Sequence, residues 1–230
     1  CNPGNPTGTQ YSKESMLALG EIARRHDLFL LSDEVYREFC YTDEPHFSAM
    51  NIPGLEQNVV LIDSVSKRYN LCGARVGCII SHNKDVMAAA MKFAQARLCP
   101  PVLGQKAAIG ALDTPDEYFA AVKEEYIKRR DFMIEGLNKM EGVFTPLPMG
   151  AFYTIAELPV DDTENFARWM LETFRIENET TMVTPAASFY KTPGKGKNHA
   201  RIAYVLEIEE MRKALRILEE GLKAYPGRTL

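Results

Sequence analysis

The chain has 230 residues, 46% hydrophobic, 25% charged and 10% aromatic, a balance able to bury a sizeable core and unlike that of a disordered or fibrous chain. Its 27 Lys and Arg against 31 Asp and Glu leave a net charge of −4, without the basic excess that binding a nucleic-acid backbone or an anionic membrane requires. No apolar stretch approaches the roughly 20 residues that span a bilayer, and five cysteines (Cys1, Cys40, Cys72, Cys78, Cys99), odd in number and without a C-x-x-C pair, suit reduced thiols in a cytoplasmic setting better than a disulfide frame or a zinc site.

The chain opens at Cys1-Asn2-Pro3-Gly4-Asn5-Pro6-Thr7-Gly8, a Gly/Pro loop with no initiator methionine and no signal-peptide pattern, which predicts a piece of something longer. Ser12 precedes a helix over 13–26, where Met16, Leu17, Leu19, Ile22 and Ala23 recur at helical spacing. The apolar runs 28–31, ending at Ser32-Asp33, and 59–62, ending at Asp63-Ser64, read as strands buried on both faces, and 75–80 reads as a third strand. Strands alternating with helices predict an α/β layer with a largely parallel sheet, whose ligand crevice lies beyond the strands' carboxyl ends. Polar residues gather at those ends.

Helices follow over 83–97 and 104–112. A long, charge-studded helix over 116–140 carries Tyr118, Val122, Tyr126, Phe132, Met133 and Leu137 as its core contacts and bridges two domains. Strands at 143–145, 151–155, 181–184 and 200–204, interleaved with helices at 163–174 and 207–224, make a second, smaller α/β unit.

Chemistry concentrates after the strand 59–62. Ser64-Val65-Ser66-Lys67 is followed by Arg75. A lysine sheltered from water beside a fixed arginine charge presents a neutral amine more readily, and a neutral amine condenses with an aldehyde. Ser64 and Arg75 offer a hydroxyl and a planar fork to a phosphate. Together they describe a seat for pyridoxal 5'-phosphate. At the preceding strand end stands Asp33-Glu34-Val35-Tyr36, where alternation sends Asp33 and Glu34 to opposite faces, so at most one meets the site. A carboxylate beneath a pyridine nitrogen keeps that nitrogen protonated, and the Tyr36 hydroxyl is near enough in sequence to reach another cofactor atom. Gly194-Lys195-Gly196-Lys197 lacks P-loop spacing and reads as a loop. His26, His46, His82 and His199 show no metal-ligand spacing and build no Ser-His-Asp set.

Asn2-Pro3-Gly4-Asn5-Pro6-Thr7-Gly8, Asp33-Glu34-Val35-Tyr36, Ser64-Val65-Ser66-Lys67 with Arg75, and Ala200-Arg201-Ile202-Ala203, in this order, resemble the class I/II aminotransferases, aspartate-aminotransferase-like members of the fold-type I pyridoxal-phosphate enzymes. The resemblance covers essentially the whole chain. It implies a large-domain, mostly parallel sheet lacking its N-terminal part over 1–115, a connecting helix over 116–140 and a small C-terminal α/β domain over 141–230. It implies that Lys67 forms the internal aldimine and moves the proton between the substrate α-carbon and the cofactor, that Asp33 pairs with the pyridinium nitrogen, and that Asn5 and Tyr36 hold the phenolic oxygen. Ser64 and Arg75 would grip the phosphate. Arg201 would take the substrate carboxylate, with Asn5 nearby.

Pro148-Met149-Gly150-Ala151-Phe152-Tyr153 also looks like a family element and is expected to pack rather than react. Thr184-Pro185-Ala186-Ala187-Ser188-Phe189 departs from the family pattern, which has Gly after the Pro. The implied function is transfer of an amino group from an amino acid, aspartate-like donors favoured, to a 2-oxo acid, by a homodimer. A truncated chain would bind cofactor weakly and associate through its exposed sheet edge and apolar face. A carbon-sulfur β-lyase of the same fold and the cofactor-sensing domain of a transcriptional regulator are the competing readings.

Overall fold

Ser12 accepts the Ser15 amide on its hydroxyl at 3.1 Å, and α1 (Lys13–Arg25) starts from that cap in the computed structural model, which describes residues 1–230. The buried face of α1, Met16 and Ala23, packs with Ala49, Ile52, Leu55 and Val59 into a first core. Burying a side chain the size of Leu55 or Val59 contributes about 1.5–3 kcal/mol. The strand after the helix, β1 (Leu30–Asp33), starts later than its apolar run, because the Leu28 amide closes back on Ala23 O at 2.8 Å.

β1 pairs parallel with β2 (Val59–Ser64), Leu30 opposite Val59 and Asp33 opposite Ile62, so that their carboxyl ends point the same way and β2 runs two residues past β1. β3 (Gly77–Ile80) joins the other edge of β2 antiparallel, with Gly77 opposite Ser64. The parallel arrangement thus holds for β1 and β2 and gives way at β3. Burial on both faces does not hold. Leu31, Ile62 and Ile79 share one face and are 63%, 38% and 47% exposed, whereas Val59 and Leu61 on the other are 1% and 4%.

α3 (Lys84–Arg97) starts at Asn83, whose Oδ1 accepts the Asp85 and Val86 amides. The apolar side chains of α3 and of α4 (Val102–Ala111) stand largely in solvent, Phe93 at 78% and Leu103 at 82% exposure. Gly104 is the buried point of α4, and a Cβ there would fall 2.3 Å from Ala74 O. That close approach seats α4 on the 3-10 turn Cys72–Ala74 just ahead of Arg75. Gly104→Ala is therefore expected to destabilise the chain by about 1–3 kcal/mol, read as a lower urea midpoint at unchanged slope; an unchanged midpoint would show that α4 can shift freely.

The chain divides into two units, one of 1–4, 9–123 and 149–151, the other of 5–8, 124–148 and 152–230. In the second, β6 (His199–Ala203) lies between β4 (Tyr153–Glu157) and β5 (Thr184–Pro185), antiparallel to both. Its core is filled by Met133, Ile134 and Leu137 of α5 (Asp116–Asn138), Phe166 and Met170 of α6 (Thr163–Glu172), and Met211, Leu215 and Leu218 of α7 (Ile208–Ala224). Tyr118, Val122, Tyr126 and Phe132, expected among the core contacts, are only half-buried, and Ile134 takes a place not foreseen.

The strand expected at 143–145 is a single bridge, Phe144 to Glu157. Asn138 ends that ladder, its Oδ1 accepting the Thr145 amide at 2.8 Å and its Nδ2 donating to Thr145 O at 3.0 Å. The strand expected at 181–184 shrinks to the two residues of β5. All five cysteines are free thiols, and no helix is long and apolar enough to cross a membrane.

Candidate active site

Alternation at the end of β1 separates two neighbouring acids. Asp33 is half-buried and its Oδ1 accepts the Val35 amide at 3.2 Å. Glu34 is fully buried, accepting from the Ser32 hydroxyl (3.1 Å), the Ser48 hydroxyl (3.0 Å) and the Ala49 amide (2.8 Å), with His46 Nε2 at 2.9 Å. Burial pushes the Glu34 carboxyl up, but His46 and the hydrogen bonds from Ala49 and Ser48 outweigh it and hold the carboxyl below its ordinary 4.5. Glu34 is thus an internal anchor, whereas Asp33 keeps part of its surface open. Tyr36 is buried with its ring edge-on to Phe39 at 6.4 Å.

At the carboxyl end of β2, Ser64 caps α2 (Val65–Arg68) by accepting the Ser66 amide at 3.1 Å. Its hydroxyl also lies 2.8 Å from Ser66 Oγ and 2.9 Å from Val76 O. Lys67 follows on the same short helix, half-buried, its Nζ donating to Cys72 Sγ at 3.9 Å. The next residue, Arg68, ties the helix down: Nη2 reaches Asp63 Oδ2 at 2.7 Å, Nε lies 3.3 Å from Glu38 Oε1, and Arg37 Nη1 adds a contact to Asp63 at 3.6 Å. Sequence reasoning missed this ion network, because Arg37 and Glu38 lie far from Arg68 along the chain and leave no local signal. Arg75 sits in the left-handed region (φ 54°, ψ 40°) after the turn Cys72–Ala74, exposed, with Nη1 donating to Cys72 O at 2.6 Å.

Ser64, Ser66 and Arg75 share the wall of a cavity of about 1160 Å³ with Met87, Met91 and Cys99. Asp33, Tyr36 and Lys67 lie outside that wall. The donor set of the first unit fits pyridoxal phosphate: hydroxyls and a guanidinium suit a phosphate, a primary amine suits an aldehyde, and a carboxylate suits a pyridine nitrogen. These groups come from the carboxyl ends of two parallel strands and the segment that leads into β3.

The second unit holds the other two expected residues, Asn5 and Arg201. Arg201 lies in the middle of β6, opposite Ile155 on β4 and Thr184 on β5, and its Nη1 donates to Asn5 Oδ1 at 3.1 Å. Its guanidinium carbon is 4.8 Å from the Tyr153 ring centroid and 5.5 Å from that of Phe189. The sequence places both rings in motifs of their own but not beside Arg201, and only the strand register could have brought Tyr153 there. After Pro185, Ala186 adopts φ −106°, ψ −1°, values open to any residue, so the turn closes without the family's glycine.

A family model described as aminotransferase class I and II matches residues 1–218. The aspartate aminotransferase of Thermotoga maritima is 32% identical over 223 residues, covering 97% of this chain and 55% of that protein. The Pinus pinaster aspartate aminotransferase is 27% identical over 238 residues, covering 96% of this chain and 46% of that protein. Among solved structures, Thermus thermophilus aspartate aminotransferase with maleate superposes with a TM-score of 0.83 at 29% identity, covering 96% of this chain and 55% of that one. The chain spans about half the length of the curated relatives it matches.

Proposed function

The chain belongs to the class I and II aminotransferases, and from that premise we propose that the whole protein uses pyridoxal 5'-phosphate to move an amino group from an aspartate-like amino acid to a 2-oxo acid. One observation carries the assignment of roles: Asp33, Ser64, Lys67 and Arg75 come in that order from the carboxyl ends of the parallel strands β1 and β2 and the segment entering β3. That end of a parallel strand pair is where α/β sheets bind ligands.

Pyridoxal phosphate, when bound, supplies an electron sink for the charge left at the substrate α-carbon. Asp33 holds the proton on the pyridine nitrogen. Ser64 and Arg75 anchor the phosphate, Arg75 through a fork that favours paired oxygens. Asn5 and Tyr36 hold the phenolic oxygen. The Lys67 amine would hold the cofactor's aldehyde carbon and, when free, would carry a proton between the substrate α-carbon and the cofactor's C4′. Arg201 takes the substrate carboxylate in its guanidinium plane, and Asn5 fixes one edge of that plane.

A homodimer and a cytoplasmic setting belong to the same proposal, supported by the uncovered apolar side chains of α3 and α4 and by the five free thiols. The test is product analysis of the whole protein with aspartate and 2-oxoglutarate. Glutamate and oxaloacetate in equal amounts are expected; if the protein instead makes no glutamate and, given a cysteine thioether, releases a thiol with ammonia and pyruvate, amino transfer is overturned in favour of elimination.

A further inference from the structure

Phe189 keeps 45% of its surface exposed, which core packing does not explain for so large an apolar ring. What it does contact is Arg201, whose guanidinium carbon lies 5.5 Å from the Phe189 centroid and 4.8 Å from that of Tyr153. Both distances are inside the roughly 6 Å over which a cation is drawn to an aromatic ring. The antiparallel register explains Tyr153: Arg201 faces Ile155 and Ala203 faces Tyr153, so Tyr153 is the diagonal neighbour of Arg201 on the same face. Phe189 arrives from the 3-10 turn Ala187–Phe189 beyond β5, the strand that flanks Arg201 on its other side. Asn5 Oδ1 accepts from Nη1 at 3.1 Å.

We propose that Tyr153 and Phe189 are positioning residues that hold the Arg201 guanidinium ready for a substrate carboxylate; the inference rests on Arg201 being the carboxylate seat. An arginine side chain carries about 2 kcal/mol of rotamer entropy, which a free side chain would lose on binding. Rings beside the guanidinium limit that freedom beforehand, while its N–H groups point outward in the plane and so stay available to paired carboxylate oxygens. Asn5 sets the rotation within that plane. A carboxylate then meets an oriented fork instead of ordering one, and the gain falls on substrate binding.

Two measurements test this. On the 230-residue chain, the Arg201 side-chain proton resonances should be displaced by ring currents in the unsubstituted protein, and Tyr153→Leu should move them toward their ordinary positions. In the whole protein, Tyr153→Leu and Phe189→Leu should each raise KM for the amino-acid donor by about 3- to 10-fold, as expected for loss of a cation–ring contact, with the effect on KM exceeding that on kcat. Tyr153→Phe keeps the ring and should restore most of the affinity, which separates positioning from the tyrosine hydroxyl. Arg201→Ala serves as the reference. If it cripples donor binding while the Tyr153→Leu/Phe189→Leu double variant binds normally, the positioning role is overturned and the carboxylate seat stands. If Arg201→Ala leaves KM unchanged, the seat itself is wrong and the positioning role falls with it.

Discussion

Replacing Lys67 with alanine in the whole protein is expected to lower kcat for amino transfer by at least about 10⁴-fold, because the proposed role gives one side chain both the covalent attachment and a proton transfer that alone contributes about 10²–10⁴-fold. Lys67→Arg should fail equally, since arginine keeps the charge but offers no amine nucleophile at neutral pH. The fold should survive either change. Lys67 is half-buried, and α2 is fixed by its neighbour Arg68 through Asp63 and Glu38. A near-ultraviolet and visible titration with pyridoxal phosphate checks the attachment separately from turnover: a saturable band should be present in the unsubstituted protein and absent in both variants. A variant retaining a tenth of the activity would remove Lys67 from the chemistry.

Glu34→Ala is expected to give the largest loss of stability, about 3–5 kcal/mol, the range for removing one partner from a buried charged pair. The carboxylate is fully buried and is the shared acceptor for Ser32, Ser48, Ala49 and His46, so its removal strands several donors at once. Its contribution has a defined pH dependence. The folded-state value lies below 4.5, so the carboxylate stabilises the chain at pH above the unfolded value and loses that contribution as pH falls from about 4.5 through the lower folded value. Urea midpoints measured between pH 7 and pH 3 should therefore decline less steeply at the acid end in Glu34→Gln than in the unsubstituted chain. Parallel declines would assign the acid sensitivity to other groups. Because Glu34 directly follows Asp33, the Ala variant should also loosen the end of β1 that presents the proposed cofactor acid.

The α-helices were legible where a polar residue met an apolar stripe: Ser12, read as preceding its helix, accepts a first-turn amide, and Asn83, read as the first residue of its helix, is instead the cap. Strands were legible where a short run is buried, as at Val59–Ser64. They were misread where long-range partners decide the backbone. Asn138 captures both backbone groups of Thr145 and stops a strand after one rung, and the closure of Leu28 on Ala23 delays another. At the proposed site, local motifs pointed to Asp33, Ser64, Lys67 and Arg75, because turn and helix-start chemistry sits next to them in sequence. The groups that hold them were hidden. His46, Ser48 and Ala49 reach Glu34 from a loop, Arg37 and Glu38 reach the Asp63–Arg68 pair from another, and Tyr153 meets Arg201 only once the register is known. Glu34 itself carried one usable signal, an acid placed by alternation on the inward face of a strand beside another acid.

The uncovered side chains of α3 and α4 change how folding of this chain has to be followed. Apolar rings such as Phe93 and aliphatic groups such as Leu103 stand in water in the native fold, so a dye such as ANS, which lights up on exposed apolar surface, will fluoresce with the folded chain as well as with a loosened one. Its brightness reports α3 and α4 rather than disorder. Near-ultraviolet circular dichroism offers a cleaner signal. The one tryptophan, Trp169, lies in the second unit with Phe174 and Tyr225 at 5.1 and 5.4 Å, an asymmetric aromatic packing that disappears when that core opens.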